Sequence, residues 1–222
     1  MPVIPSTPQM TRSVSAILLA AGASSRFSHG NKLLADLDGQ PLISWTAEGL
    51  RSAGVAEIIV VTGPRREEVE RALRGAFDVG RGPHLVFAHN PDHSAGMGTS
   101  IAVGIATVSA SLSGALVCPG DMPGITRDLV DRLIRTWQSC AQRCIVCPET
   151  PDGRQGNPVL WPRRFFDRLA RLSGPQGGKA LLNELSDDVV TVFAEGTGAA
   201  IDIDTVEDLA RYKQQRSGQE PD

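Results

Sequence analysis

A three-layer α/β/α sandwich built on a mostly parallel sheet follows from three observations on this sequence. Apolar, β-branched runs alternate with amphipathic stretches almost to the end of the chain. Its 222 residues suit one medium domain able to bury most of its own apolar surface. No internal repeat and no long linker interrupts the rhythm.

Each element has its own signal. Residues 14–20 form the first predicted strand, and 41–53 a helix with Pro41 in its first turn and Gly54 as its stop. Residues 57–62 give the second strand, and 65–74 a charged surface helix. The third strand covers 84–89, and a loop then leads into a helix from about 99 to 110. The fourth strand, 114–118, is closed by Pro119-Gly120-Asp121-Met122-Pro123. A helix over 127–141 and a strand over 144–148 come next. A polar loop (149–157) and a short strand (158–161) precede two helical stretches, 164–172 and 178–185. A strand at 189–193, an extended piece at 200–203 and a helix at 206–212 complete the pattern. The spacing therefore predicts one domain over 14–212, a disordered arm over 1–13 and a frayed tail over 213–222.

Composition narrows the function classes. A net charge of −3 offers no basic face for nucleic acid. No apolar run reaches the roughly 18 residues a membrane span requires, and the polar, proline-bearing start lacks the apolar core of a signal peptide. Cys144-Ile145-Val146-Cys147 has CxxC spacing, but it lies on a predicted strand, where residues three apart point to opposite faces. With Cys118 and Cys140 it reads as reduced core thiol in a cytoplasmic protein.

In open α/β sheets ligands bind outside the carboxyl ends of the strands, so the segments after each strand carry the chemistry. After the first comes Leu19-Ala20-Ala21-Gly22-Ala23-Ser24-Ser25-Arg26, with Lys32-Leu33-Leu34 six residues beyond. A loop of small residues lets several backbone N–H groups face one anion, and Arg26 and Lys32 can reach the same charge. A polyphosphate fits such a cradle. It is neither a Walker loop, since no Ser or Thr follows Lys32, nor a GxGxxG turn, since only Gly22 stands near the strand.

After the third strand, Gly96-Met97-Gly98-Thr99-Ser100 is a second place of close backbone approach, although Thr and Ser there can equally cap the helix. After the fourth, Asp121 is held between Gly120 and Met122-Pro123, placed to hold Mg²⁺, while Thr126 better fits the cap of the next helix. Asp202-Ile203-Asp204-Thr205 sets two carboxylates on one face of an extended segment. Asp204 or Thr205 can cap the last helix, which leaves Asp202 as the candidate second metal ligand.

Together, in this order, these segments resemble the nucleotidyltransferases of the molybdenum-cofactor type, over roughly residues 14–212. That family has a glycosyltransferase-A-like, Rossmann-like fold and opens on LAAGxSxRxG followed by KLL. Gly96-Met97-Gly98-Thr99-Ser100-Ile101, Pro119-Gly120-Asp121-Met122-Pro123, Gly156-Asn157-Pro158-Val159-Leu160-Trp161 and Asp202-Ile203-Asp204-Thr205 resemble the cytidylyltransferase branch. The guanylyl-transferring branch usually reads Gly-Gly where this chain has Ala21-Gly22. Two departures stand out: Ser28 replaces the glycine usual after the Arg, and Pro175 and Lys179 replace an Asp and an Arg.

The resemblance implies transfer of CMP from CTP to molybdenum-molybdopterin, with Mg²⁺, or Mn²⁺ in its place. The partners it implies are CTP, the pterin, and a molybdoenzyme of the xanthine dehydrogenase class or its chaperone. It assigns Arg26, Lys32 and Asp121 to catalysis and Asp121 with Asp202 to the metal. The nucleotide falls to Leu19, Ala20, Ala21, Gly22, Arg26, Lys32, Gly96, Ser100, Pro119 and Gly120. The pterin side falls to Gly156, Asn157, Pro158, Gln176, Gly177 and Lys179. The attacking phosphate is already ionised, which agrees with His29, His84, His89 and His93 forming no cluster in the sequence. The task left to the enzyme is relief of anion repulsion, roughly 4 kcal/mol per pair of unit charges at about 4 Å and an effective dielectric of 20. A guanylyltransferase, a transferase for another small phosphate, and a non-catalytic cofactor escort are the rival readings.

Overall fold

The structure, a computed structural model, describes residues 13–24, 27, 30–76, 82–194 and 201–218. Strand β1 (Val14–Ala20) leads to a hairpin of β2 (Asp36–Leu37) and β3 (Gln40–Pro41), then helix α1 (Leu42–Arg51). β4 (Glu57–Thr62), α2 (Arg66–Ala76), β5 (His84–His89), α3 (Met97–Thr107) and β6 (Gly114–Pro119) alternate as the sequence predicts. Beyond α4 (Arg127–Ser139) come β7 (Ile145–Glu149), β8 (Val159–Pro162), α5 (Phe166–Leu169) and α6 (Lys179–Glu184). β9 (Val189–Phe193) and α7 (Val206–Ser217) follow.

The main sheet runs β5-β4-β1-β6-β8-β7-β9. Only β8 is antiparallel to its neighbours, so the sheet is mixed but mostly parallel. β1 sits at its centre, in register with β4 on one side (Ile17 opposite Ile59) and β6 on the other (Ile17 opposite Val117). From β1 the chain winds out through β4 to β5, then crosses back to β6 on the opposite side. The carboxyl ends of β1 and β6 therefore flank the switch point, where such sheets form their ligand crevice.

Side-chain alternation on β1 makes the two core layers. Ala16, Leu18 and Ala20 pack with Ala47, Leu50, Leu73, Leu133 and Trp137 from α1, α2 and α4. Ile17 and Ala21 face Ile101 and Ile105 of α3, with Leu169 and Leu181 from α5 and α6. A central strand covered on both faces is apolar nearly throughout, and apart from Ser15 the sequence Val-Ser-Ala-Ile-Leu-Leu-Ala meets that demand. Cys147 lies fully buried in the α3-side layer, while Cys144 packs partly buried against the opposite one. The CxxC thiols thus point to opposite faces, as strand geometry requires.

Three elements depart from the sequence reading. The hairpin of β2 and β3 falls where no element is predicted. The stretch predicted as a helix over 164–172 has only four α-helical residues, Phe166–Leu169, after a 3₁₀ turn. Within the stretch 213–222 predicted as a frayed tail, residues 213–217 are helical, since α7 continues to Ser217; 219–222 lie outside the described residues. Lys213 and Arg216 pair with Asp36 at 3.1 Å and Asp38 at 2.9 Å, and the Arg216 guanidinium lies 4.1 Å from the Trp45 ring centre. These contacts clasp the last turns of α7 to the hairpin. Of the arm predicted over 1–13, residues 1–12 lie outside the described residues.

Candidate active site

The loop after β1 is built to stay open. Leu19 and Ala20 still belong to the ladder, opposite Val61 and Thr62, and Ala21 is buried. Gly22 and Ala23 are exposed, and a Cβ added at Gly22 would meet nothing within 4 Å. Ser24 then turns the chain with a left-handed φ of 53°. Its hydroxyl donates to Asn31 Oδ1 at 3.1 Å and accepts from the Lys32 amide at 3.2 Å. The buried Asn31 accepts from Leu33 N at 3.0 Å and so caps the 3₁₀ turn Lys32–Leu34. Phe27, buried in the core, anchors the loop between these points. Ser24 and Asn31, which the sequence reading passed over, thus aim Lys32; Arg26 lies outside the described residues.

Opposite the loop, β6 ends at Pro119, and Gly120 N donates to Leu19 O at 2.9 Å. A Cβ at Gly120 would stand 2.8 Å from that same oxygen, so only glycine lets the two strand ends approach so closely. Thr46 of α1 donates to the Gly120 carbonyl at 3.0 Å, and Ile203 N donates to the Asp121 carbonyl at 3.0 Å. The segment before α7 is thereby tied to the end of β6.

Three charged side chains meet there. Lys32 Nζ lies 2.5 Å from Asp121 Oδ2 and 2.7 Å from Asp204 Oδ1. All three are partly buried. Burial alone would push the lysine pKa down, but the charges and hydrogen bonds of Asp121 and Asp204 outweigh it and hold the ammonium above its ordinary range. The Asp121 Oδ1 atom is buried and has no hydrogen-bond partner.

Of the two aspartates in the segment before α7, the structure brings one to Lys32. Asp204, not Asp202, reaches Lys32. Ile203, 1% exposed, is bonded to the Asp121 carbonyl; Asp202 before it is exposed, while Asp204 after it faces the site. The cap of α7 is Thr205: its hydroxyl accepts from Asp208 N at 3.1 Å, and Asp208 accepts from Thr205 N at 3.0 Å. That reciprocal pair is a capping box, legible as Thr-x-x-Asp in the sequence. It was the signal that Asp204 is not needed as a cap. Likewise Thr126 caps α4, accepting from Leu129 N at 3.3 Å, as predicted.

The other predicted segments converge on the same sheet edge. Because β8 runs antiparallel, Val159 pairs with Val117, and Gly156, Asn157 and Pro158 arrive beside the carboxyl end of β6. Across the edge, Gly96 adopts φ 116°, and a Cβ there would stand 2.3 Å from the Gly174 carbonyl carbon. Gly98 N donates to Gly174 O at 3.0 Å, so the loop bearing Gln176 and Gly177 docks backbone-on-backbone against the start of α3. Gly177 is buried, while Gln176 and Lys179 are exposed. Neither Thr99 nor Ser100 caps α3. The buried Asn90 donates to both hydroxyls at 2.9 Å and so pins α3 to the end of β5.

Two hard carboxylates, one with an unpartnered buried oxygen, fit a divalent cation. Among the described residues no group of three or more metal-binding side chains occurs.

An open small-residue loop, an aimed lysine and a carboxylate pair at the carboxyl ends of β1 and β6 suit chemistry on a polyphosphate. Residues 16–189 match the MobA-like NTP transferase domain, and the chain belongs to that family. It is 29% identical to nicotine blue oxidoreductase of Paenarthrobacter nicotinovorans over 206 residues, covering 89% of this chain and 95% of that one. It is 32% identical over 185 residues to the bifunctional protein GlmU of Geotalea daltonii, covering 82% of this chain but only 39% of that protein's length. Among solved structures, the manganese complex of Rv0371c from Mycobacterium tuberculosis H37Rv superposes with a TM-score of 0.70 at 25% identity. That match covers 91% of this chain and 98% of the other. No helix among the described residues is long and apolar enough to cross a membrane.

Proposed function

We propose that the protein transfers CMP from CTP to the terminal phosphate of molybdenum-molybdopterin and releases pyrophosphate. The observation that carries the reading is the Lys32–Asp121–Asp204 cluster beside the open Gly22 loop. The acceptor phosphate is ionised at neutral pH, so it attacks the α-phosphorus without a general base. Lys32, with Arg26, binds the β- and γ-phosphates and stabilises the pyrophosphate as it leaves. The amides of Ala21 to Ala23 line the cradle, and the backbone near Gly96, Ser100, Pro119 and Gly120 bounds the nucleotide pocket. Asp121 and Asp204 hold the divalent ion, Mg²⁺ or Mn²⁺, Asp204 taking the role that residue spacing suggested for Asp202. Such an ion, when bound, neutralises phosphate charge and orients the transferred group.

The acceptor lies toward Gly156–Pro158 and the loop of Gln176, Gly177 and Lys179. Lysine there binds phosphate as a point charge, without the two-pronged grip of the family's arginine. Ala21, where the guanylyl branch usually has glycine, supports cytosine as the base. We place the protein in the cytoplasm, where the cofactor would pass to a molybdoenzyme of the xanthine dehydrogenase class or its chaperone.

The test is product formation from each nucleoside triphosphate with and without molybdenum-loaded pterin, read by mass spectrometry and pyrophosphate release. A cytosine dinucleotide from CTP alone among the four is the expected outcome. A guanine dinucleotide, or transfer only to a different phosphate acceptor, would replace the substrate assignment. No pyrophosphate release with any triphosphate and acceptor would remove catalysis.

A further inference from the structure

The position of Lys32 carries a consequence for how the site takes up its ion. A lysine committed to triphosphate has no evident reason to bind carboxylates, yet its ammonium contacts one oxygen of Asp121 and one of Asp204. Those are the two carboxylates assigned to the divalent ion. A cation already stands between them, supplied by the chain itself. The ammonium is not there by slack: the Asn31 cap and the Ser24 hydrogen bonds fix the backbone that carries it. Among the described residues, Asp121 Oδ1 stays buried and unpartnered behind this contact.

We propose that Lys32 is a tethered placeholder cation: it occupies the Asp121–Asp204 pair while the nucleotide site is empty, and leaves when triphosphate oxygens accept it and a divalent ion replaces it. The inference rests on the reading above, that this pair takes the ion. Two physical terms make the exchange work. Without nucleotide, the ion must displace a charge-assisted contact that costs nothing in association entropy, since the lysine is covalently attached. With nucleotide, the displaced ammonium gains phosphate partners, and the phosphates supply ligands to the ion. Ion uptake is thereby coupled to nucleotide uptake, and by linkage the coupling is reciprocal. The ammonium offsets one of the two carboxylate charges and a divalent ion offsets both, so the site never holds two partly buried anions with no cation beside them.

Mn²⁺ binding to the full chain, followed by electron paramagnetic resonance, tests the exchange without recourse to turnover. Wild type should bind Mn²⁺ weakly alone and tighten sharply with a non-hydrolysable CTP analogue. Lys32→Met should bind Mn²⁺ alone more tightly than wild type by about tenfold or more, and should gain much less from the analogue. Lys32→Arg, which keeps the charge, should stay weak alone, and Lys32→Gln serves if the Met variant does not fold. Asp121→Asn should abolish Mn²⁺ binding in every background, leaving the free-ion signal undiminished. Equal Mn²⁺ affinity of wild type and Lys32→Met, with binding still lost in Asp121→Asn, overturns the placeholder and leaves the metal assignment standing. No Asp121-dependent Mn²⁺ binding under any condition overturns both.

Discussion

The two halves of the sheet solve different problems. Around β1, β4 and β6 the chain is regular: long parallel ladders, fully buried strands and helices of ten residues or more in α1, α2, α3 and α4. This half carries Lys32 and Asp121. The half around β8, β7 and β9 is assembled from short pieces, with α5 and α6 only four and six residues long and β9 partly exposed. It carries Gly156–Pro158 and the 173–178 loop, and it is where Pro175 and Lys179 depart from the family pattern. In the function proposed above, charge compensation at a phosphoryl group, which tolerates little displacement, falls to the regular half. Recognition of the acceptor, which loops can tune, falls to the irregular one. Asp204 meets the regular half through its own contact with Lys32 and through the Ile203–Asp121 backbone bond beside it.

Substitutions should separate the halves, and failure to do so would dissolve the distinction. Asp121→Ala should cost most, about 10³-fold or more in kcat with the fold retained, measured by pyrophosphate release and circular dichroism. Asp204→Asn should lower kcat by about 10²-fold, whereas Asp202→Asn should stay within about twofold. Reversal of those two would return the second carboxylate role to Asp202. On the irregular half, Lys179→Ala should raise the acceptor KM about tenfold with kcat nearly unchanged. A matching fall in kcat would place Lys179 in the transition state instead. Arg216→Ala removes an exposed ion pair and a cation–π contact from the α7 clasp, and should cost about 1 kcal/mol of stability without altering kcat.

The smallest effect concerns the thiols. Burial, then the hydrogen bond and charge of Cys140, pushes Cys144 up to about 11, and burial with the Glu149 charge does the same for Cys147. Burial, aided by Asp121, raises Cys118 further. A thiol raised in the native state carries no penalty below its unfolded pKa of about 8.5, and stability declines as pH climbs from there towards 11. Alkylation of these three at pH 8 should therefore be far slower in native than in unfolded protein, as peptide mapping would show.

Strands 14–20, 57–62, 84–89 and 189–193 have the same limits in sequence and structure, because short apolar runs bounded by polar or turn residues leave little choice of boundary. The hairpin of β2 and β3 went unseen because two residues show no periodicity. The last turns of α7 went unseen because their stabilising partners, Asp36, Asp38 and Trp45, lie more than 160 residues earlier in the chain.

In the site, the sequence alone determined the loop chemistry: small residues after β1, a lysine beyond them and a carboxylate after β6. Those are local properties, set by residue type and by distance from a strand end. Which aspartate completes the cluster was decided only in three dimensions. Asp202 and Asp204 share a face on any extended segment, so alternation could not separate them. The separation came from a buried Ile203 bonded to the Asp121 carbonyl and from Thr205 taking the cap, which together turn Asp204 onto Lys32. Short-range periodicity sets which way a side chain can point, and long-range packing sets what it meets there.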